Sequence, residues 1–205
     1  MSEPLPEVHI IGEILHGHQF SSCNAFAKFD IESSDKWDCV GGEESGQTQV
    51  DYPKMVCAAC YLDTLVHLTL LWLALLQLSS KFVWNHPIDL HYFIQSMQGW
   101  PKMVFQVGSL DEYGGKQVFG YGVVHLPTCS GMHEMECPIW RVVGSTLQEA
   151  YAFFLNIKPQ LRDTKLICET AHQHRNKICT VSVGSIKMRL AVLFRNFNKF
   201  DLEWK

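Results

Sequence analysis

In residues 186–194, IKMRLAVLF, every second side chain is large and apolar, and Lys187 and Arg189 stand between them. The large apolar side chains on one side are Ile186, Met188, Leu190, Val192 and Phe194. Successive side chains on a strand point to opposite faces, so this pattern predicts a strand with one buried face. Residues 177–183 also have an extended pattern and Gly184 separates the two stretches, so we expect a long hairpin that turns at Gly184.

The same two-residue period recurs along most of the chain. It predicts strands over residues 8–14, 23–31, 47–51, 88–94, 102–107 and 118–126, with a short strand inside 33–46. We expect the strand over 88–94 to follow a turn at His86-Pro87, because a residue before proline is disfavoured in the helical region. Residues 98–101 and 111–115 are predicted turns, and the second joins two strands into a hairpin.

One helix is predicted, around residues 146–156. Thr146 followed by Glu149 has the spacing of a capping box, and the apolar residues of this stretch recur at helical spacing. About eight strands at short intervals, with one inserted helix, are typical of an all-β chain folded as an antiparallel β-sandwich.

Composition limits the class of protein. The 205 residues are 47% apolar, 12% aromatic and 19% charged, which is enough for one hydrophobic core and excludes disorder for the bulk of the chain. The net charge of -4 provides no basic field for nucleic acid. Residues 1–6 lack the features of a signal peptide, and the eight cysteines are irregularly spaced, so we expect a reducing, cytoplasmic setting.

Residues 56–78, VCAACYLDTLVHLTLLWLALLQL, break the strand period and carry a single charge, at Asp63. Their apolar composition favours a helix. The uncharged run 64–78 would then be about 22 Å long, against about 30 Å for the hydrocarbon core of a bilayer. Three explanations stay open: a helix packed on the sandwich, a membrane anchor, and a product of unusual splicing or gene prediction.

Residue types that carry catalysis occur without completing a catalytic pattern. Gly120-Tyr-Gly122 lacks the third glycine and the following helix of a dinucleotide-binding loop. The Val-Gly-Ser triplets do not extend to Gly-x-Ser-x-Gly, so no serine nucleophile is predicted. His86, Asp89 and His91 could transfer a proton, but alternation explains Asp89 and His91 equally well as a solvated strand face.

Metal-ligand patterns are also incomplete. Cys57 and Cys60 have the spacing of half a structural zinc site, but no second pair stands at a matching distance. The aspartates that could bind calcium are too scattered for one site: Asp30, Asp35, Asp38 and Asp111. We therefore expect no metal and no cofactor.

Several short stretches, taken together and in order, resemble the B9 family. They are EVHIIG (7–12), GQTQVD (46–51), WNHPIDLH (84–91), QGWP (98–101), FGYG (119–122), CPIW (137–140) and LFRNF (193–197). The resemblance implies a B9 domain over 7–200, interrupted by an insert over 56–78, with tails at 1–6 and 201–205. The motif residues that we single out are Gln47, Thr48, Asp51, His86, Pro87, Asp89, His91, Gly99, Trp100, Pro101, Gly120, Gly122, Pro138, Trp140, Arg195, Asn196 and Phe197.

This resemblance implies a C2-like β-sandwich without catalytic activity. It also implies a scaffold role in the tectonic-like (Meckel syndrome) complex of the ciliary transition zone, which supports cilium assembly and limits diffusion of membrane proteins between cilium and plasma membrane. The implied partners are B9 domain-containing protein 1 and the Meckel syndrome type 1 protein and, more loosely, γ-tubulin. The implied location is the cytoplasm and cytoskeleton, at the basal body and transition zone.

A peripheral phospholipid-binding module is the competing interpretation. Lys187, Arg189 and Arg195 alternate on one face of the last strand and could contact an anionic membrane, at about 1 kcal/mol each. Tryptophans in or near loops could anchor an interface or close the ends of the sandwich: Trp37, Trp84, Trp100 and Trp140.

Overall fold

Strands account for most of the chain that the structure describes. The computed structural model describes residues 5–53, 81–111, 113–155, 159–161, 167 and 179–197. Its elements in chain order are β1 (Glu7–His18), β2 (Phe26–Glu32), β3 (Trp37–Gly42), β4 (Ser45–Gln47), β5 (Lys81–Ile94), β6 (Lys102–Leu110), β7 (Lys116–His125), β8 (Gly131–Val142), α1 (Thr146–Leu155) and β9 (Thr180–Arg195). None of the helical residues in these ranges forms a helix long and apolar enough to cross a bilayer. The predicted all-β class with one short helix is confirmed.

The nine strands in the described ranges pair into one antiparallel sheet, in the order β3-β5-β1-β9-β8-β7-β6-β2-β4. The sheet curls over itself, because strands far apart in this order touch through their side chains. Phe29 of β2 packs against His86 of β5, with ring centroids 5.5 Å apart, and the Trp84 indole of β5 donates a hydrogen bond to the Ala25 carbonyl. One wall is β5-β1-β9 and the other is β7-β6-β2. The two walls of the predicted sandwich are thus halves of a single sheet, joined through β8.

The predicted alternation places the core between these walls. β1 lies between β5 and β9, so it forms the centre of the first wall. Each of the two strands β1 and β9 directs every second side chain inward. Their buried apolar side chains are Val8, Ile10, Ile14, Ile186, Met188, Leu190 and Val192.

Gly184 lies inside a continuous strand, so the predicted hairpin turn there is wrong. β9 pairs with β1 along one side and with β8 along the other, and its register with β8 shifts next to Gly184, as at a bulge. Gly184 has a φ of 153°, and a side chain there would collide with the His18 carbonyl and the Phe20 ring. A glycine required by a bulge and by close packing gives the same local signal as a glycine in a turn.

The predicted turn at His86-Pro87 is also wrong, because these residues lie within a strand, just after a bulge. β5 continues through it, and Pro87 lies opposite Glu13 of β1. Asn85 has a φ of 45°, and the register of β5 with β1 shifts nearby. The other neighbour of β5, β3, pairs only with residues 90–94, so Pro87 has a strand on one side alone. Proline is tolerated in strands at bulges and edges because few ladder hydrogen bonds depend on its missing N–H.

β8 has no counterpart among the predicted strands. Its inward positions Cys137 and Ile139 are buried, but its outward positions mix methionine and proline with glutamates. This mixture obscures the alternation. Val40 of β3 is exposed, whereas Trp37 of the same strand is buried.

The cap of α1 is shifted by one residue from the predicted Thr146–Glu149 box. The Gln148 amide donates to Ser145 Oγ (3.4 Å), and the Ser145 amide donates to Gln148 Oε1 (2.9 Å). Glu149 instead accepts two hydrogen bonds from the Arg141 guanidinium, each 3.1 Å, and one from the Gly144 amide. The helix is therefore tied to the end of β8.

Replacing Arg141 by methionine is expected to raise the pKa of Glu149. The hydrogen bonds from Arg141, followed by that from the Gly144 amide, lower this pKa below its ordinary value of 4.5. A carboxyl whose pKa is depressed by folding stabilises the native state above its unfolded pKa, and the contribution disappears as the pH falls through the folded value. NMR titration of the Glu149 carboxyl carbon measures the change. Equal pKa values in Arg141→Met and the parent protein would contradict the assignment, and Arg189→Met serves as a control.

The described residues on either side of the 56–78 segment meet each other. The Val83 amide donates to Asp51 Oδ2 (2.7 Å), and Asp51 pairs through its backbone with Ala25 (3.0 and 3.1 Å). A short link between these flanks would leave this contact intact. Residues 56–78 themselves lie outside the described residues, so their assignment as an insert stays a prediction.

Candidate functional site on the outer face of the sheet

The wall β5-β1-β9, continued by β8, has one face on the core and one on solvent. We call the solvent side the outer face. Cross-strand register arranges its side chains in rows across the four strands. Successive rows are Phe93-Glu7-Arg195, His91-His9-Leu193, Asp89-Ile11-Ala191-Met132 and Pro87-Glu13-Arg189-Glu134.

Glu7 is the centre of a polar cluster at one end of this face. Its Oε2 lies 3.3 Å from His91 Nε2, 3.6 Å from His9 Nε2 and 3.6 Å from Arg195 Nη1. The other oxygen, Oε1, accepts a hydrogen bond from Asn196 Nδ2 (3.3 Å). We call these five residues the Glu7 cluster. The carboxylate side chain is 12% exposed, so its partners replace most of its hydration.

The imidazoles of His9 and His91 stack within this cluster. Their ring centroids lie 3.9 Å apart at an interplanar angle of 17°, and Phe93 packs its edge on His91. The arrangement joins three motif stretches, 7–12, 84–91 and 193–197. Glu7 and His9 were absent from the residues singled out on sequence, although their i, i+2 spacing places both on one strand face.

The three cations of the last strand do not form a separate basic patch. Arg189 donates to Glu134 (2.9 Å) and lies 3.9 Å from Glu13, while Arg195 lies beside Glu7. Lys187 stands opposite Glu136 in the register of β8 and β9. These carboxylates neutralise the charge that an anionic membrane would attract.

Apolar side chains are exposed between the charged rows. Ile11 is 45% exposed, Leu193 52% and Met132 71%. Ala191 separates Ile11 from Met132 in the same row. An apolar centre bordered by charges that already have partners is the composition of a protein-binding surface.

Ser185, His18 and Glu136 form a second polar cluster, farther along the outer face. Ser185 Oγ donates to Glu136 Oε1 (2.6 Å) and lies 2.8 Å from His18 Nε2. The hydrogen bond from Ser185 lowers the pKa of Glu136. In a catalytic triad the serine and the carboxylate contact different nitrogens of the histidine. Here Ser185 Oγ and Glu136 Oε1 both contact His18 Nε2, at 2.8 and 3.3 Å. The Ser185 hydroxyl donates its hydrogen bond to Glu136 rather than to His18, so the cluster does not activate Ser185.

His86, Asp89 and His91 are not brought together as one site. Asp89 and His91 share the outer face, as alternation predicts, but His91 stacks on His9 while His86 packs against Phe29. Three of the four aspartates that were considered as calcium ligands, and judged too scattered, have other partners. Asp30 pairs with Lys28 (3.2 Å), Asp38 accepts from Gln95 (2.9 Å), and Asp111 accepts from amides of its own turn. Cys57 and Cys60 lie outside the described residues.

Several motif residues hold the second wall together. Thr48 is buried, and its hydroxyl accepts a hydrogen bond from the Ala27 amide (2.9 Å). Gln47 accepts from Lys116 (3.1 Å). A side chain at Gly120 or Gly122 would collide with Ile139, so these glycines permit β7 and β8 to approach. Pro138 is exposed beside them.

The four tryptophans noted in the sequence pack against other aromatic rings. Trp37 and Trp84 are buried, and Trp37 meets Trp100 edge to face with ring centroids 4.8 Å apart. Trp140 packs against Tyr121 at 5.8 Å. The motif residues Gly99 and Pro101 flank Trp100, and Phe197 packs on Phe194 with ring centroids 4.8 Å apart. These placements favour the structural role for Trp37 and Trp84.

Comparison with known proteins identifies the family. The model of the family B9-C2, "Ciliary basal body-associated, B9 protein", matches residues 8–193. The chain belongs to the B9 family. B9 domain-containing protein 2 of Danio rerio is 33% identical over 199 residues, which cover 97% of this chain and 99% of the relative. B9 domain-containing protein 1 of Mus musculus is 30% identical over 125 residues, 60% of each protein.

The B9 family is associated with the ciliary basal body, and the predicted family resemblance is confirmed. Among solved structures, a C2 domain of plant Extended Synaptotagmin 1 is 11% identical, with a TM-score of 0.40 over 93% of this chain and 95% of that domain.

Proposed function

We propose that this B9 protein is a non-enzymatic scaffold of the tectonic-like (Meckel syndrome) complex at the ciliary transition zone. There it would support cilium assembly and limit diffusion of membrane proteins between cilium and plasma membrane. Family membership supports the ciliary setting. The outer face carries the scaffold role, because it exposes apolar side chains on a rigid sheet.

The proposed occupant of the outer face is another B9 domain, that of B9 domain-containing protein 1 or of the Meckel syndrome type 1 protein. Ile11, Leu193 and Met132 would supply the apolar contact. Arg189 and Glu134 at its border already neutralise each other, so a partner that covers them leaves no isolated charge. The mouse B9 domain-containing protein 1 matches 60% of this chain, which supports a partner with a related sheet.

Two observations support this proposal over an enzyme or a lipid-binding module. The Ser185 cluster lacks the geometry that activates a nucleophile. The basic residues of the last strand stand beside carboxylates, so lipid headgroups would have to displace those carboxylates. Sedimentation with vesicles rich in phosphatidylserine tests the second point. Salt-sensitive binding would favour the lipid-binding module, whereas absence of binding supports the scaffold.

The location of the protein in ciliated cells tests the proposal. A tagged chain is expected in a band just distal to a basal-body marker, and both proposed partners should co-precipitate with it. Diffuse cytoplasmic signal without either partner would overturn the assignment to the complex.

The same experiment with residues 56–78 deleted tests the predicted insert. We expect the deleted form to occupy the same band, because Asp51 and Val83 already meet across the segment. Membrane staining that appears only with the longer form would instead make the segment an anchor. Sequencing of the transcript across the codons of residues 55–79 tests whether the segment is translated. If only a shorter messenger is found, the segment is not part of the protein.

A further inference from the structure

The structure holds a group of potential metal ligands that neither the family nor the sequence patterns indicate. Within the described ranges, Glu7, His9 and His91 form a three-residue group whose ligand atoms all lie within 4.8 Å of one another. His91 Nε2 is buried and has no hydrogen-bond partner among the described residues, although Glu7 Oε2 is 3.3 Å away, so the two atoms are poorly aligned. A buried polar atom in this state requires an explanation.

We propose that Glu7, His9 and His91 bind a divalent transition-metal ion of the zinc class. Two imidazoles and one carboxylate are a zinc ligand set, with bonds of about 2.0–2.2 Å. A tetrahedral ion with such bonds separates its ligand atoms by about 3.4 Å. The two nitrogens lie 3.3 and 3.6 Å from Glu7 Oε2, so a single ion fits both separations.

The sheet fixes these ligands on a rigid frame. Glu7 and His9 occupy positions i and i+2 of β1, and His91 is the cross-strand partner of His9 on β5. Asn196 holds Oε1 of Glu7 by a hydrogen bond of 3.3 Å, which leaves Oε2 for the ion. Outer partners of this kind orient metal-binding carboxylates.

Binding requires two local rearrangements. The stacked rings must tilt toward each other, because a metal lies close to the plane of each imidazole that binds it. Arg195 must leave Oε2, and its side chain is 69% exposed, so it can move into solvent without breaking the core. Arg195 is thus a competitor of the ion for the same oxygen.

Zinc titration of the full-length protein by calorimetry tests the site. We expect one ZnCl₂ equivalent whose affinity falls about 100-fold or more in His9→Asn and in His91→Asn. His125→Asn, an exposed histidine on the opposite wall, should leave the affinity unchanged. Arg195→Gln should tighten binding several-fold, which a purely structural role of the cluster does not predict.

Two spectroscopic measurements on the unmodified protein keep the test independent of variant stability. Zn²⁺ should shift the imidazole NMR signals of His9 and His91 before those of other histidines. Co²⁺ should give the visible bands of a nitrogen and oxygen site, without the charge-transfer band of thiolate ligands. Equal affinity in all histidine variants, a thiolate band, or no binding would each overturn the proposal.

Discussion

Trp84→Ala is expected to lower the free energy of unfolding by about 3–5 kcal/mol, the usual cost of removing a large aromatic side chain from a core. Trp84 is 3% exposed and stacks near Phe20 at the contact between the two walls. Its indole nitrogen donates to the Ala25 carbonyl (3.1 Å), which ties β5 to the segment before β2. Chemical denaturation of the purified protein measures the change.

Matched phenylalanine variants separate the hydrogen bond from the packing. Trp84→Phe keeps an aromatic ring but leaves the Ala25 carbonyl without its donor, at a cost of about 1–3 kcal/mol. Trp37 is also buried, but its indole nitrogen has no hydrogen-bond partner in the described part of the chain. Trp37→Phe should therefore cost less than Trp84→Phe. If Trp84→Ala unfolded at the same denaturant concentration as the parent, its position between the walls would be contradicted.

The strands were predictable from sequence because a strand that is buried on one face has apolar residues at every second position. Ile10 and Leu190 show this directly, since both are fully buried where the pattern puts them. Glycine and proline are ambiguous, because the same residues that end a strand also permit a bulge inside one. Gly184 lies beside a bulge and Pro87 follows one, and only the pairing of the flanking residues with β1 and β8 shows that neither position is a turn.

The Glu7 cluster was predictable in part. The spacing of Glu7 and His9 places them on one strand face, and the period of β5 does the same for Asp89 and His91. Their meeting depends on the register of two strands far apart in the chain, which local patterns do not contain. The partners of Arg189 and Arg195 follow from the same register, so charges that look like a basic patch in sequence are neutralised in the fold.

Met132→Lys combined with Leu193→Lys is expected to weaken binding to B9 domain-containing protein 1 by about 100-fold, or about 2.7 kcal/mol. Both side chains are more than half exposed, so the change should leave the unfolding midpoint nearly unchanged. The loss arises because two ammonium groups would have to be desolvated in an apolar contact without a carboxylate partner. Binding is measured by calorimetry or by capture on an immobilised partner.

The matched control is Tyr113→Lys. Tyr113 is 96% exposed, but it lies in the turn between β6 and β7, away from the outer face. It adds one ammonium group to another exposed hydrophobic position, half the charge that the outer-face variant adds, so a general effect of net charge on association would weaken both variants. Loss confined to the outer-face variant locates the partner on β8 and β9. Retained affinity in that variant, with loss in Tyr113→Lys, would move the docking surface to the other wall and leave the apolar row of the outer face without a role in assembly.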